Sequence, residues 1–184
     1  MVTQEQLQHH CREKAFYAFG TTKLFDRRMR RLDIWRKCIT YLGIIVPLMI
    51  GSVVLSFGKD WLPYVLYPAG FVSTIQLALS VWSIVAKWDD KYSYALSALQ
   101  SQTKLFNEWD HLAKRCPTNL EQRVDLLDAE DRRQEQADIA QNISEIEKRY
   151  AMRSALYQFG KQCVRCKVKP VSMKPLDCDT CGNF

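Results

Sequence analysis

A chain of 184 residues with 26 Lys and Arg against 20 Asp and Glu, a formal net charge of +6, is long enough for one ordinary domain or for a membrane hairpin with soluble extensions. The charge suits anionic lipid or nucleic acid and chooses neither. An apolar content of 47% would suit a globular protein, but it is segregated: between Lys37 and Lys87 the only charged side chains are Lys59 and Asp60. Such a distribution marks membrane spans, because a charge at the bilayer centre costs about 2.5–3.5 kcal/mol even on the mild insertion scale. No secretory signal is recognisable, since the first apolar stretch starts near residue 38 and is too long for one.

From the N-terminus, residues 4–19 read as a short helix, with Gly20, Thr21 and Thr22 offering a stop and a new start. His9, His10 and Cys11 hold metal-ligating atoms, but adjacent residues point to different helix faces, so they read as surface polar residues. A second helix over 24–37 carries Phe25, Met29, Leu32 and Trp35 at helical spacing and runs into the first span at Ile39. Arg27, Arg28, Arg30, Arg31, Arg36 and Lys37 lie here, where headgroup phosphates are the expected contact and a nucleotide site is the weaker alternative.

Residues 38–58 are 21 in number without a charge. As a helix they extend roughly 32 Å, about one hydrocarbon thickness. Pro47 removes the N–H that would serve the Gly43 carbonyl. Gly43, Pro47 and Gly51, at four-residue spacing, are hinge candidates, with a static packed kink the blander reading. Residues 61–86 form the second span: Asp60 caps it, Pro63 fits the first turn, and Trp61, Tyr64 and Tyr67 at one end face Trp82 and Trp88 at the other as aromatic belts. The short connection dictates an antiparallel hairpin. Six basic residues before the first span, against Lys59 in the loop, place both termini in the cytosol. On the second span Ala69, Ser73, Gln76, Ser80 and Ser83 recur at spacings of 4, 3, 4 and 3 and share one stripe. Helix packing and a water-lined path between assembled hairpins both account for it.

Residues 87–160 read as a cytosolic helical pair. One stripe runs through Tyr92, Ala95, Leu96, Leu99, Phe106, Trp109 and Ala113. The other starts at Leu120, Val124 and Leu127 and resumes at Ile139, Ile143, Ile146 and Tyr150. The polar stretch 128–138 between them reads as a solvated face or a bend. No Gly-rich phosphate loop, Ser-His-Asp set or carboxylate cluster suggests catalysis.

The last segment, 161–184, holds Cys163-Val164-Arg165-Cys166, eleven residues, then Cys178-Asp179-Thr180-Cys181-Gly182. Two CxxC turns supply four thiolates, the all-cysteine set of a structural zinc ribbon, with a small hairpin expected between them and Gly182 expected to lend flexibility. Disulfides are the rival, disfavoured in a reducing cytosol. Cys11, Cys38 and Cys116 read as ordinary. Lys161, Arg165, Lys167, Lys169 and Lys174 make the segment basic, with nucleic acid the less favoured partner.

The whole is thus an all-α membrane protein: a two-helix transmembrane hairpin, long cytosolic helices and a small zinc ribbon. The basic N-terminal helix, tight hairpin and helical tail resemble the SLATT group of bacterial membrane effectors, and the CxxC–x11–CxxC ending is similar to the mobilome family named for that spacing. The resemblance implies a protein of the bacterial inner membrane with an anti-phage, abortive-infection role. A sensor, of nucleotidyltransferase or reverse-transcriptase type, or a nucleotide signal would license homo-oligomeric hairpins to breach the membrane lipid. Only the four cysteines carry over residue by residue. A non-conducting anchor that recruits a partner through the ribbon is the alternative; an exporter is disfavoured because the spans lack charged residues for coupling.

Overall fold

The computed structural model describes residues 3–57, 59–115, 117 and 119–184. Among them the chain forms five α-helices and no β-strand: α1 (Gln4–Phe57), α2 (Leu62–Val85), α3 (Trp88–Lys114), α4 (Leu120–Ile139) and α5 (Glu145–Phe159), with a 3-10 turn at Lys59–Trp61 before α2. Two compact units result, one made of Met1–Arg28 with Tyr94–Phe184, the other of Met29–Ser93.

In the first unit, the start of α1 differs from the expected pair of short helices: α1 is unbroken through Gly20, Thr21 and Thr22. The threonine hydroxyls donate back to the Tyr17 and Ala18 carbonyls within the helix rather than capping a new one. Gly20 is needed for close approach, since a Cβ there would lie 3.1 Å from the Ala151 carbonyl oxygen on α5. Cys11, expected at the surface, is wholly buried. With Ala15 and Ala18 of α1 it packs against Leu105, Trp109, Leu112 and Ala113 of α3 and Leu120, Val124 and Leu127 of α4. Rings of Phe16, Phe19, Phe106 and Phe159, with centroids 5.4–6.5 Å apart, link this core to a second one around α5.

The stretch 87–160 holds three helices rather than two. The polar run 128–138 continues α4, and the chain turns later, at Asn142, whose φ of 47° breaks the helix. Ser144 then starts α5 with a full capping box, its hydroxyl accepting from the Glu147 N–H while the Glu147 carboxylate accepts from the Ser144 N–H. Gly160, at φ 62°, ends α5, with Lys161 N–H donating back to Leu156 O. The buried stripe of α3 is Ala95, Ala98, Gln102, Leu105, Trp109, Leu112 and Ala113; it keeps Ala95, Trp109 and Ala113 of the expected stripe and adds Gln102. Gln102, Gln134 and Tyr94 all donate to the buried Asp138 carboxylate, at 2.9, 3.0 and 2.6 Å.

The second unit is a hairpin. Gln76 of α2 lies against Gly43 of α1, its amide nitrogen 2.8 Å from where a Gly43 Cβ would stand, while Arg36 pairs with Asp89 at 2.8 Å and Trp35 meets Trp88. These contacts fix an antiparallel register. Two helices here are long and apolar enough to cross a membrane, and none of their most apolar windows is buried. Leu55 is 89% exposed, Ile84 77% and Phe71 70%. Pro47 is inside α1, and Pro68, unremarked in the sequence, is inside α2. Lys87, at φ 51°, separates α2 from α3.

Candidate functional site

The two CxxC segments fold as twin turns without the expected hairpin strand. In the first, the Lys167 N–H donates to Cys163 O at 2.9 Å and the Cys163 N–H to Val168 O at 3.0 Å, with Lys167 in the left-handed region at φ 58°. In the second, the Gly182 N–H donates to Cys178 O at 2.8 Å, and the Cys178 and Asn183 N–H groups both reach Leu176 O. Gly182 serves close approach rather than flexibility, since any Cβ would drive into the Leu176 carbonyl. Arg165 and Asp179, one from each turn, pair at 2.7 Å across the exposed side.

These turns bring the Sγ atoms of Cys163, Cys166, Cys178 and Cys181 within 4.8 Å of one another, with Cys166 and Cys181 at 3.7 Å. A tetrahedral metal with metal–sulfur bonds of ~2.3 Å separates its sulfurs by ~3.8 Å, whereas a disulfide needs ~2.05 Å. The four cysteines could therefore hold a metal ion. Three are buried, and the cluster packs on Phe16 of α1 and on Ala155 and Leu156 of α5, so a metal there would sit inside the second core of the unit. N–H groups of Thr180 and Cys181 aimed at Cys178 hold its thiol down to about 6, favouring the thiolate a metal requires. Burial and the neighbouring thiols push Cys181 up to about 12, because four thiolates cannot share this space without a cation to offset them.

The basic residues assigned to headgroups divide. Arg28 forms a bidentate pair with Glu147 at 2.8 Å and donates to the Gln141 and Asn142 carbonyls, clasping α1 to the turn before α5. Burial alone would raise the Glu147 carboxyl, but hydrogen bonds from Arg28 and Ser144 and the Arg28 charge hold it below its usual range. Arg27 stacks on Tyr150 at 4.3 Å. The Arg28 guanidinium is thus committed within the fold, while Arg27 stays exposed. Arg36 pairs with Asp89, and Lys37 with Asp33 at 2.6 Å; Arg30 and Arg31 are exposed. The Arg28 clasp escaped the sequence reading, although Ser144-x-x-Glu147 is a recognisable capping signature.

Of the seam, Ala69, Gln76, Ser80 and Ser83 are half-buried within the hairpin and Ser73 is exposed. The hinge candidates Gly43, Pro47 and Gly51 lie within a continuous helix. A separate cavity of about 650 Å³ opens in the first unit, lined by His10, Lys14, Asp131, Glu135 and Asp138 among others. His10 hydrogen-bonds Asp128 at 3.0 Å, and Lys14 bridges Asp128 and Asp131 at 3.3 and 2.6 Å, so these residues fasten α1 to α4 rather than gather a metal. Cys116 lies outside the described residues; Cys38 is free and exposed.

Fold and site define a class: an all-helical protein with two helices fit to cross a membrane and a paired-CxxC cluster able to hold a metal. The chain belongs to the Mobilome CxxCx(11)CxxC protein family, whose model matches residues 8–184. No curated protein and no solved structure matches it.

Proposed function

We propose that this is a multi-pass protein of the bacterial inner membrane, both termini cytosolic, which acts without catalysis as an anti-phage effector that breaches the bilayer when its hairpins assemble. The observation that carries the membrane reading is the exposed apolar surface of both long helices, which no part of the unit covers; surface of that extent needs lipid or further copies of the chain around it. The four-cysteine cluster holds a structural zinc, chosen because all four ligands are sulfur and lie within 4.8 Å of one another. Exposed Arg31 remains for headgroups, while Arg36 and Lys37 are held by Asp89 and Asp33. A sensor protein is the favoured trigger. An anionic nucleotide fits the 650 Å³ cavity poorly, because Glu13, Asp131, Glu135 and Asp138 outnumber Lys14 and Lys148 in its lining.

A second reading has its own observation. Gln76 rests on Gly43 of the same hairpin, as expected of a packing seam in a non-conducting anchor. For the pore reading this is the closed state, and conduction requires Gln76 to leave Gly43 and face other copies. Induced expression in bacteria, followed with a membrane-potential dye, separates the two. High density substitutes for the trigger by mass action. The effector depolarises cells as expression rises; an inserted protein that leaves the potential unchanged at every density is the anchor.

A further inference from the structure

The zinc-binding segment exposes residues that its own fold does not use. Val164 is 82% exposed and Val171 85%, and Val168 is 44% exposed, within a stretch that also carries exposed Arg165, Lys167, Lys169 and Lys174. The loop from Cys163 to Val168 is closed by the Cys163 N–H to Val168 O bond, which fixes Val164, Arg165 and Lys167 in one tight turn. Opposing acids are few: Asp179 is taken by Arg165 and Asp177 accepts from Asn183. We propose that this segment docks on an anionic lipid surface, Val164 and Val171 entering the headgroup–acyl boundary and Lys167, Lys169 and Lys174 lying over lipid phosphates. A closed turn with an aliphatic tip, followed by a second exposed valine among lysines, suits that surface, where buried apolar area and attraction to anionic lipid add.

Charge complementarity alone would also admit a nucleic acid. The apolar residues decide against it. Single-strand binding relies on exposed rings on which bases stack, and the aromatic ring of this segment, Phe184, packs on Tyr150 at 5.5 Å. Exposed valines gain nothing from a phosphodiester backbone, whereas a bilayer boundary buries them. The inference goes beyond the hairpin reading, since a two-span anchor needs no second contact with lipid.

Hydrogen exchange on the full-length zinc-loaded chain in nanodiscs provides the test. With phosphatidylglycerol in the disc, amides of 163–171 should exchange several-fold more slowly than in phosphatidylcholine discs, and high salt should remove most of the difference. Val164→Ser with Val171→Ser, both exposed and outside the metal ligands, should abolish protection while zinc content stays unchanged. Equal exchange in the two discs overturns the proposal and leaves the hairpin intact. Protection that appears only on adding a short single-stranded DNA overturns it in favour of nucleic acid. A chain that enters neither disc refutes this proposal and the membrane reading together.

Discussion

At the scale of single residues, the second CxxC turn depends on a missing side chain as much as on sulfur. Gly182→Ala forces a methyl against the Leu176 carbonyl, so the turn must open and the Cys178 and Cys181 sulfurs separate. We expect purified wild-type protein to contain about one zinc per chain, and both Gly182→Ala and Cys166→Ser to fall well below that by metal analysis. Wild-type protein without metal, purified free of chelator and oxidant, would contradict the assignment. Arg28→Ala strips Glu147 of its bidentate partner and leaves the Gln141 carbonyl without its donor; we expect a loss of about 2 kcal/mol, read as a lowered unfolding temperature. The pH dependence has a fixed sign. Because the Glu147 carboxyl is held below its usual range in the fold, its contribution is complete above the ordinary carboxylate pKa of ~4.3 and is lost as pH falls further, through the lowered folded value. Arg28→Ala should therefore destabilise most at neutral pH and less in strong acid, where Glu147 is already protonated and only the bonds to the Gln141 and Asn142 carbonyls are lost.

At the scale of elements, the two long apolar helices and the four-cysteine cluster were legible because each depends on local composition: an uncharged run, and four cysteines at fixed spacing. What was not legible depends on pairs distant in sequence. Gln102 lies outside the stripe expected from the sequence because its partner, the Asp138 carboxylate, is 36 residues away. Gly20 reads locally as a helix stop, yet it lies inside α1 against the Ala151 backbone of α5. Arg27 and Arg28 looked like headgroup ligands because nothing local in the sequence ties them to Tyr150 and Glu147. The seam is the instructive case, since its spacing was visible but its partner, Gly43, was not. Gly43→Ala places a methyl 2.8 Å from the Gln76 amide nitrogen, the mobile end of a long side chain, so the hairpin should survive with Gln76 displaced. If that displacement is the opening step, Gly43→Ala permeabilises membranes at lower protein density than wild type. If the seam only packs, the variant inserts normally and permeability does not change.

At the scale of the whole molecule, two long helices apolar enough to cross a membrane accompany a helical unit whose second core contains the four-cysteine cluster. Both termini should read cytoplasmic; reporter fusions at Phe184 and ahead of Thr3 check this, and a periplasmic signal from either would overturn the positive-inside argument. The claim that matters most is that the hairpin breaches membranes through its polar stripe. Leakage from dye-filled liposomes at rising protein-to-lipid ratio tests it most directly, with wild type and Gln76→Leu compared at equal insertion. Wild type should release dye steeply with density, and Gln76→Leu should insert at least as well but release little, having lost the largest polar group of the stripe near mid-membrane. Equal leakage from both would show the stripe to be a packing face, and no leakage from wild type at any density would show the protein to be an anchor.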